Sequence, residues 1–325
     1  MGRWPLWTML VPLVAGAVVW FFLWGGHRDR LVADMQRFLP PGTDIATGGF
    51  PYRLEAKVAP LNVGRDDVAL QSRLTASAVT VNRQPWQPAR QVLNLTDSVA
   101  ELQLLPIAGA NVRVTAGKAQ ASLRVEAGKI ARLSMVWEAP ELLTGLLPVP
   151  VSAEKLEAHF RETPAMKGTG AIMKASPRLP TQDQFVVSGT AVRFGKGDAL
   201  GLQMDSEMTA KGPIASLADW LEGGTVEVRS LILTDKTGEV ARLKATFVPG
   251  VAGDLRVAGT IETVCPASVR AAIAGLPPVS EKRTRKALLL PFEGVLPGGI
   301  VMAAADPAKP PPPVRGQQPA CPRLR

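Results

Sequence analysis

The stretch VEVRSLILTDKTGEVARLKATFV, Val226–Val248, decides the fold, because it contains two strands and the turn that joins them. Val226–Leu233 and Val240–Val248 are rich in Val, Ile, Leu and Thr, which favours strands. Asp235-Lys236-Thr237-Gly238 between them has the Asp and Gly of a tight turn. A further strand is predicted over Gly253–Ile261. Consecutive strands joined by short turns predict an antiparallel meander, and hence a broad, curved sheet.

Other parts of the chain alternate with the same period of two residues. Leu54, Ala56 and Val58 are separated by charged residues, and 156–160 alternates in the same way, with His159 on the polar side. The segments 112–114 and 121–125 predict two further strands, separated by Ala116-Gly117-Lys118. Such alternation indicates one buried and one wet face. The predicted fold class is mainly β: an N-terminal transmembrane helix followed by a curved antiparallel sheet assembly with a few short helices.

Three short segments carry helical signals. Ile214–Leu221 follows Pro213 and precedes two glycines, Ser268–Ala274 follows Pro266, and Glu138–Leu147 has a weaker helical spacing. With 30 Gly and 29 Pro in 325 residues, the chain favours many turns and few long helices.

The N-terminus contains an uncharged run from Trp4 to Gly26. At ~1.5 Å per residue this run is long enough to cross a ~30 Å hydrocarbon core, so residues 1–28 are predicted to be a transmembrane anchor. The predicted membrane belt of indole side chains consists of Trp4, Trp7, Trp20 and Trp24. The alternative, a signal peptide cleaved at Ala15-Gly16-Ala17, is less favoured, because the run exceeds the ~7–15 residues of a signal core.

The remaining chain divides into three predicted parts. Residues 29–42 are a juxtamembrane helix with an apolar stripe that docks on the domain, ended by Pro40-Pro41-Gly42. Residues 43–305 are a β-rich domain. Residues 306–325 are a flexible, Pro-rich basic tail, since they include Pro310–Pro313 and the region after residue 280 holds much of the net charge of +9. The members of the stripe are Leu31, Val32, Met35, Phe38 and Leu39. A second span over 287–305 is rejected because Pro291, Glu293 and Pro297 interrupt it.

The sequence offers no starting point for catalysis. Its 2 histidines are His27, beside the anchor, and His159, on a wet strand face. The motifs of serine hydrolases, zinc proteases, thiol oxidoreductases and phosphate-binding loops are absent from the sequence. Asp66-Asp67 is interpreted as part of a solvated turn. The sequence therefore predicts no catalytic, cofactor or metal site, and a basic tail poor in aromatic residues predicts no nucleic-acid binding.

Cys265 and Cys321 are the 2 cysteines of the chain. In an oxidising compartment they form a disulfide that joins the tail to the domain, and in a reducing one they are two unrelated thiols. The disulfide is the favoured interpretation.

Two short motifs resemble those of a bacterial family, domain of unknown function 2125. They are Gly48-Gly49-Phe50-Pro51-Tyr52-Arg53-Leu54, after an N-terminal anchor, and Val81–Pro88, where Gln87 replaces a common Asn. The resemblance implies a membrane-anchored, β-rich envelope protein of no established activity. Its architecture is similar to that of AsmA-like proteins, some of which are thought to shield lipids in a β-lined groove.

The motif residues also have structural interpretations. Phe50, Pro51 and Tyr52 are predicted to begin a strand and cap the end of the sheet. Pro85, Trp86 and Pro88 are predicted to form a stiff corner with one apolar plug.

These observations lead to a functional hypothesis. The chain is expected to be a non-enzymatic protein of the inner membrane, single-pass with its bulk in the periplasm, that binds or passes lipid on an apolar concavity of the sheet. The expected partners are the inner membrane, phospholipid and envelope proteins. The alternative is an envelope scaffold that handles no lipid. Charge decides the orientation weakly, because Arg3 and the α-amino group nearly balance Arg28 and Arg30.

Overall fold

The computed structural model describes residues 10–67, 70–105, 107, 109–126, 129–163, 181–210, 220–250, 253–296, 298–302 and 318–325. The predicted mainly β fold is confirmed. Two helices with both ends in the described part of the chain, α1 (Leu10–Gln36) and α2 (Pro266–Ile273), accompany the sheet. The strands of the first half of the sheet are β1 (Ala46–Gly48), β2 (Leu54–Val58), β3 (Leu61–Asp66), β4 (Leu70–Ala76), β5 (Ala78–Gln84), β6 (Gln87–Leu104), β7 (Asn111–Glu126), β8 (Lys129–Glu138) and β9 (Glu141–Thr144). Those of the second half are β10 (Val151–Ser152), β11 (Lys155–Glu162), β12 (Thr181–Phe194), β13 (Leu200–Thr209), β14 (Thr225–Asp235), β15 (Gly238–Pro249), β16 (Leu255–Thr263), β17 (Leu288–Leu296) and β18 (Gly299–Met302).

The strands form an antiparallel meander. Four pairs of strands that are consecutive in the chain continue one another across a short break: β2/β3, β4/β5, β8/β9 and β10/β11. The two members of each pair keep the same register against the neighbouring strands, so each pair is a single strand with one interruption. Neighbours in the sheet then follow the order of the chain, from β1 through β6 and β7 to β18. Short hairpins suffice for such an arrangement, which is what the turn-rich sequence predicted.

The interruptions lie opposite one another and form a crease across the sheet. Ser77, between β4 and β5, lies opposite Asp97 of β6, and Asp97 in turn lies opposite Gly117 of β7. The crease continues through Ala139 and Ala191. Asp97, Ala139 and Ala191 have φ of 44°, 45° and 51°, so the backbone leaves the extended conformation at every second strand. The sheet bends along this line, and the two strands predicted over 112–125 are one strand, β7, that passes through it.

Helix α1 joins the predicted anchor and juxtamembrane helices into one. It is long and apolar enough to cross a membrane, and its first part is exposed. Past the apolar run, Leu31 is fully buried, and Met35 and Leu39 pack against the same cluster. Phe38 is predicted in this stripe but is 80% exposed, since α1 ends at Gln36 and the helical spacing that would place Phe38 on the packed side no longer applies. Trp4 and Trp7 lie outside the described residues.

Among the apolar clusters of the described residues, three join distant parts of the curved sheet. The first lies under α1 and contains Leu54, Val58 and Val79. The second lies between β14–β17 and α2. In the third, Ile107 and Ala110, from the turn after β6, pack with Trp220 and Leu255. Contact between that turn and the far strands requires the sheet to curl, so the predicted curvature is confirmed.

Two local predictions have different outcomes. α2 matches the helix predicted over 268–274. The helix predicted over 138–147 is wrong, because 141–144 is strand β9, paired on one side with β7 and on the other with β10. The backbone pairing offered by two neighbours outweighs a weak helical spacing. Of the segment 214–221, Trp220 and Leu221 are described, and Trp220 is buried.

Candidate functional site

An apolar cavity of about 470 Å³ lies on the concave face of the second half of the sheet. One wall consists of β14, β15 and β16, a second of α2, and a third of the loop over 145–149. Its members are Gly145, Leu146, Leu147, Pro148, Val149, Phe194, Leu231, Leu233, Ala241, Leu243, Ile261, Val269, Ala272, Ile273, Leu296, Gly299, Ile300, Leu324 and Arg325. Among the described residues, Arg325 provides the one polar side chain in this lining. The volume lies within the ~300–1,000 Å³ typical of small-molecule sites.

The register explains why this wall is apolar. Leu231 lies opposite Leu243, which lies opposite Ile261, so the three side chains point to one face. Leu233 and Ala241 form a neighbouring pair on that face. This is the apolar half of the alternation read from residues 226–248. The sequence predicted the face, whereas the cavity also needs the distant loop at 145–149.

The loop at 145–149 is fixed to the first half of the sheet. The Gly145 N–H donates a 2.7 Å hydrogen bond to Oδ1 of Asn111 at the start of β7. A Cβ on Gly145 would lie 2.5 Å from the carbonyl oxygen of Gly109, so a side chain there requires the loop to move. The loop therefore forms a fixed wall opposite β14 and β15.

The disulfide holds the fourth wall, the end of the chain. Cys265, after β16, is bonded to Cys321, and Leu324 then packs in the clusters around the cavity. Arg323 donates to Asp198 Oδ1 at 2.8 Å. The expectation of a flexible tail is therefore wrong for residues 318–325, because covalent and polar bonds fix them. Residues 306–317 lie outside the described part.

Glu281 lies beside the disulfide without forming a metal site. Its carboxylate and the two sulfurs are close enough to hold an ion, but the sulfurs are bonded to each other. The carboxylate accepts hydrogen bonds from the N–H groups of Ala267 (3.1 Å) and Ser268 (2.7 Å). It thereby satisfies free donors in the first turn of α2.

A basic cleft adjoins the cavity. This open cleft of about 780 Å³ is lined by Lys196, Arg323 and Arg325, and it shares Val149 and Arg325 with the cavity. Asp198 neutralises Arg323, and Arg323 lowers the pKa of that carboxyl group. The Nη1 atom of Arg325 is buried and has no hydrogen-bond partner among the described residues. The opening therefore offers positive charge next to an apolar interior.

The first family-like motif holds the anchor helix. The indole Nε1–H of Trp20 donates to the Pro51 carbonyl (3.0 Å), and that of Trp24 donates to the Arg53 carbonyl (3.2 Å). The Phe50 ring packs edge-on against Trp24, with centroids 5.4 Å apart. Residues 49–53 form a turn before β2 rather than the predicted strand start, because the carbonyl groups of Pro51 and Arg53 accept hydrogen bonds from α1 instead of from a neighbouring strand. The membrane-belt role of the four tryptophans stays a prediction.

Gly49 is required in this turn. Its φ is +95°, and a Cβ there would lie 2.4 Å from the Arg53 carbonyl oxygen, which is the acceptor for Trp24. A side chain would strain the backbone and displace that acceptor.

The second motif forms the hairpin between β5 and β6. Pro85 is buried, whereas Trp86 is 59% exposed and Pro88 is exposed within β6. The predicted apolar plug is therefore wrong, since the indole points away from the core. Tyr52, in the neighbouring turn, is 77% exposed.

His159 lies on the exposed face, as predicted. Its Nε2 is 3.7 Å from Glu157, and the depression beside it, about 260 Å³, has no carboxylate in its lining among the described residues. Asp183 is the one described acid with a strongly shifted pKa, which burial and the neighbouring Glu162 raise to about 6. The lining of the His159 depression does not include Asp183.

Asp183→Asn is expected to stabilise the protein at pH 7.5. The folded state binds the Asp183 proton more tightly than the unfolded state, so native stability falls as the pH rises from about 4 to about 6. Removing the carboxyl group should raise the free energy of unfolding by about 2 kcal/mol above pH 7 and by little at pH 4. Urea unfolding at both pH values measures this difference. Exposed Asp66→Asn is the control, and an equal effect of the two variants would contradict the assignment.

Comparison with known proteins gives one family. The sequence profile of the family described as "Uncharacterized protein conserved in bacteria (DUF2125)" matches residues 20–295. No curated protein and no solved structure matches the chain. The matched region contains both motifs and runs from within α1 through β17, so it covers most of the described fold. The chain belongs to the DUF2125 family of bacterial proteins.

Proposed function

We propose that this protein is a single-pass envelope protein of the inner membrane that binds a lipid acyl chain and catalyses no reaction. The observation that carries the proposal is the cavity of about 470 Å³, whose lining in the described part of the chain is apolar apart from Arg325. Hydrocarbon suits such a lining, because it needs no hydrogen bonds and gains ~25 cal/mol for each Å² removed from water.

The cleft beside the cavity supports an amphiphilic ligand. A chain that fills the cavity would leave its head in the cleft beside Lys196 and Arg325. Two cationic side chains complement a carboxylate or a phosphate. The proposed ligand is therefore a fatty acid or an anionic phospholipid, with its chain inside and its head at the opening.

The disulfide supports the periplasmic side. Disulfides persist in oxidising compartments such as the bacterial periplasm and are rare in the cytosol. Cys265 is fully buried and bonded to Cys321, and Leu324 in the segment after Cys321 lines the cavity. With α1 in the membrane, the proposal therefore assigns the sheet to the periplasm.

A photoactivatable fatty acid tests the proposal. The full chain in lipid nanodiscs is mixed with a diazirine fatty acid, irradiated and digested, and labelled peptides are identified by mass spectrometry. Label is expected on β14–β16 and α2. Ala272→Trp should reduce this label about tenfold, because the indole would occupy the space of the chain.

The matched control is Ala274→Trp, an exposed position two residues along the same segment. Its labelling should equal that of the unsubstituted protein. Circular dichroism establishes that both variants fold. Equal labelling of the two variants, or label confined to α1, would reject the cavity as a lipid site and favour the scaffold.

A further inference from the structure

Four arginines form a row across four neighbouring strands. Arg90 of β6 lies opposite Arg124 of β7, Arg124 lies opposite Arg132 of β8, and Arg132 lies opposite Arg161 of β11. Residues directly opposite one another point to the same face of a sheet, with Cβ atoms ~4.5–5.5 Å apart. All four are exposed. We call these residues the arginine row.

The arginine row has little compensating charge. Within the described residues, Arg124 alone of the four forms an ion pair, with Glu126 at 2.6 Å. Like charges directly opposite one another destabilise a sheet. A bound anion would remove this repulsion, whereas solvent screens it only in part.

The arginine row lies at the level where α1 meets the domain. Leu54 begins a line of opposed residues that runs through Arg83, Gln91, Leu123 and Leu133. Each arginine of the row is the neighbour in sequence of a residue in or beside this line, on the side nearer the strand end. Arg53, the residue before Leu54, lies at the same level. The Arg53 carbonyl accepts the hydrogen bond from Trp24 of α1. Four strands at ~4.8 Å spacing give the row a span of roughly 14 Å.

A depression between two members of the row has the character of an anion site. It measures about 260 Å³ and is lined by Arg132, Arg161, His159, Ser134 and Gln184, together with Phe160 and Val186. Guanidinium, hydroxyl and amide groups can all donate hydrogen bonds to phosphate oxygens. Since no carboxylate lines it among the described residues, nothing there competes for the arginines.

We propose that the arginine row binds the phosphate groups of anionic lipids in the membrane that α1 spans, with one phosphate between Arg132 and Arg161. This contact holds the outer face of β6–β8 and β11 against the headgroups. It is independent of the acyl-chain cavity, which lies on the other face of different strands.

Arginine modification tests the proposal on the unsubstituted full chain. The protein in nanodiscs is treated with phenylglyoxal, and the modification rate of each arginine is read by peptide mass spectrometry. Three preparations are compared: phosphatidylglycerol, phosphatidylcholine, and phosphatidylcholine with inorganic phosphate. Arg132 and Arg161 should react about fivefold more slowly in phosphatidylglycerol than in either other preparation.

Arg65 of β3 and Arg256 of β16 are the internal controls, because both are exposed and lie outside the row. Their rates should be the same in all three preparations. Equal rates of Arg132 in the two lipids would overturn the proposal. If inorganic phosphate protects Arg132 and Arg161 as much as phosphatidylglycerol does, the proposal that the bound phosphate belongs to a lipid is overturned, and the site binds a soluble phosphate instead. Slower reaction of the controls as well would also overturn it, since the effect would then be general.

Discussion

Replacing Cys265 and Cys321 with serine is expected to lower the free energy of unfolding by roughly 4 kcal/mol. The two residues are 56 positions apart, and in the loop-entropy account a crosslink of that length removes about this much freedom from the unfolded chain. The loss should also loosen the cavity, because Leu324 follows the bridge and packs beside β14–β17.

Urea unfolding of the full chain in detergent micelles, followed by far-UV circular dichroism, measures this change. The control is reductant: it should lower the stability of the unsubstituted protein to that of the double variant and leave the double variant unchanged. A double variant as stable as the unsubstituted protein would mean that the bridge does not constrain the fold.

Trp24→Ala should cost about 3–5 kcal/mol, the range for removing a buried aromatic side chain. Trp24 is 6% exposed, donates to the Arg53 carbonyl and contacts the Phe50 ring. Its loss leaves a cavity between α1 and the turn before β2 and removes the partner of a backbone carbonyl. Trp24→Phe should cost less, because it keeps much of the packing and loses the hydrogen bond of about 1 kcal/mol.

The same unfolding measurement applies to the anchor variants. Phe22→Ala is the matched control, since Phe22 lies on the same helix and is 72% exposed. We expect it to leave the stability of the domain unchanged. Equal destabilisation by Trp24→Ala and Phe22→Ala would contradict specific docking of α1 on the domain.

The regular parts of this fold could be predicted from the sequence. The period of two at Leu54–Val58 matches a strand whose alternate residues are buried, and the turn before Gly238 connects β14 to β15. These patterns are local, since each depends on residues a few positions apart. The helix from Ser268 was predicted for the same reason, because Pro266 favours a helix start.

The irregular parts could not be predicted. Asp97, Ala139 and Ala191 adopt positive φ without the glycine that usually signals it, because the aligned strands on both sides fix the crease. The turn at Phe50 was interpreted as the end of a sheet, but its carbonyls bind indole groups about 30 residues earlier in the chain. Such long-range partners leave no local signal.

The candidate site depends on the same long-range contacts. The apolar face of β14–β16 could be read from alternation, but its closure by Leu146, Val149 and Leu324 could not. These residues come from a loop some eighty positions before β14 and from the far end of the chain. The arginine row likewise requires the strand register, because its members are 34, 8 and 29 positions apart in sequence.

Photocrosslinking from inside the cavity tests the central claim most directly. The full chain carrying p-benzoylphenylalanine at Leu231, which lines the cavity, is expressed in bacterial membranes and irradiated, and the mass of any adduct is measured. Leu289, apolar and 61% exposed on β17, is the control position. The account predicts an adduct with the mass of a lipid at Leu231 and none at Leu289. A Leu231 preparation without a lipid adduct, or with a protein adduct in its place, would contradict lipid binding and support the scaffold.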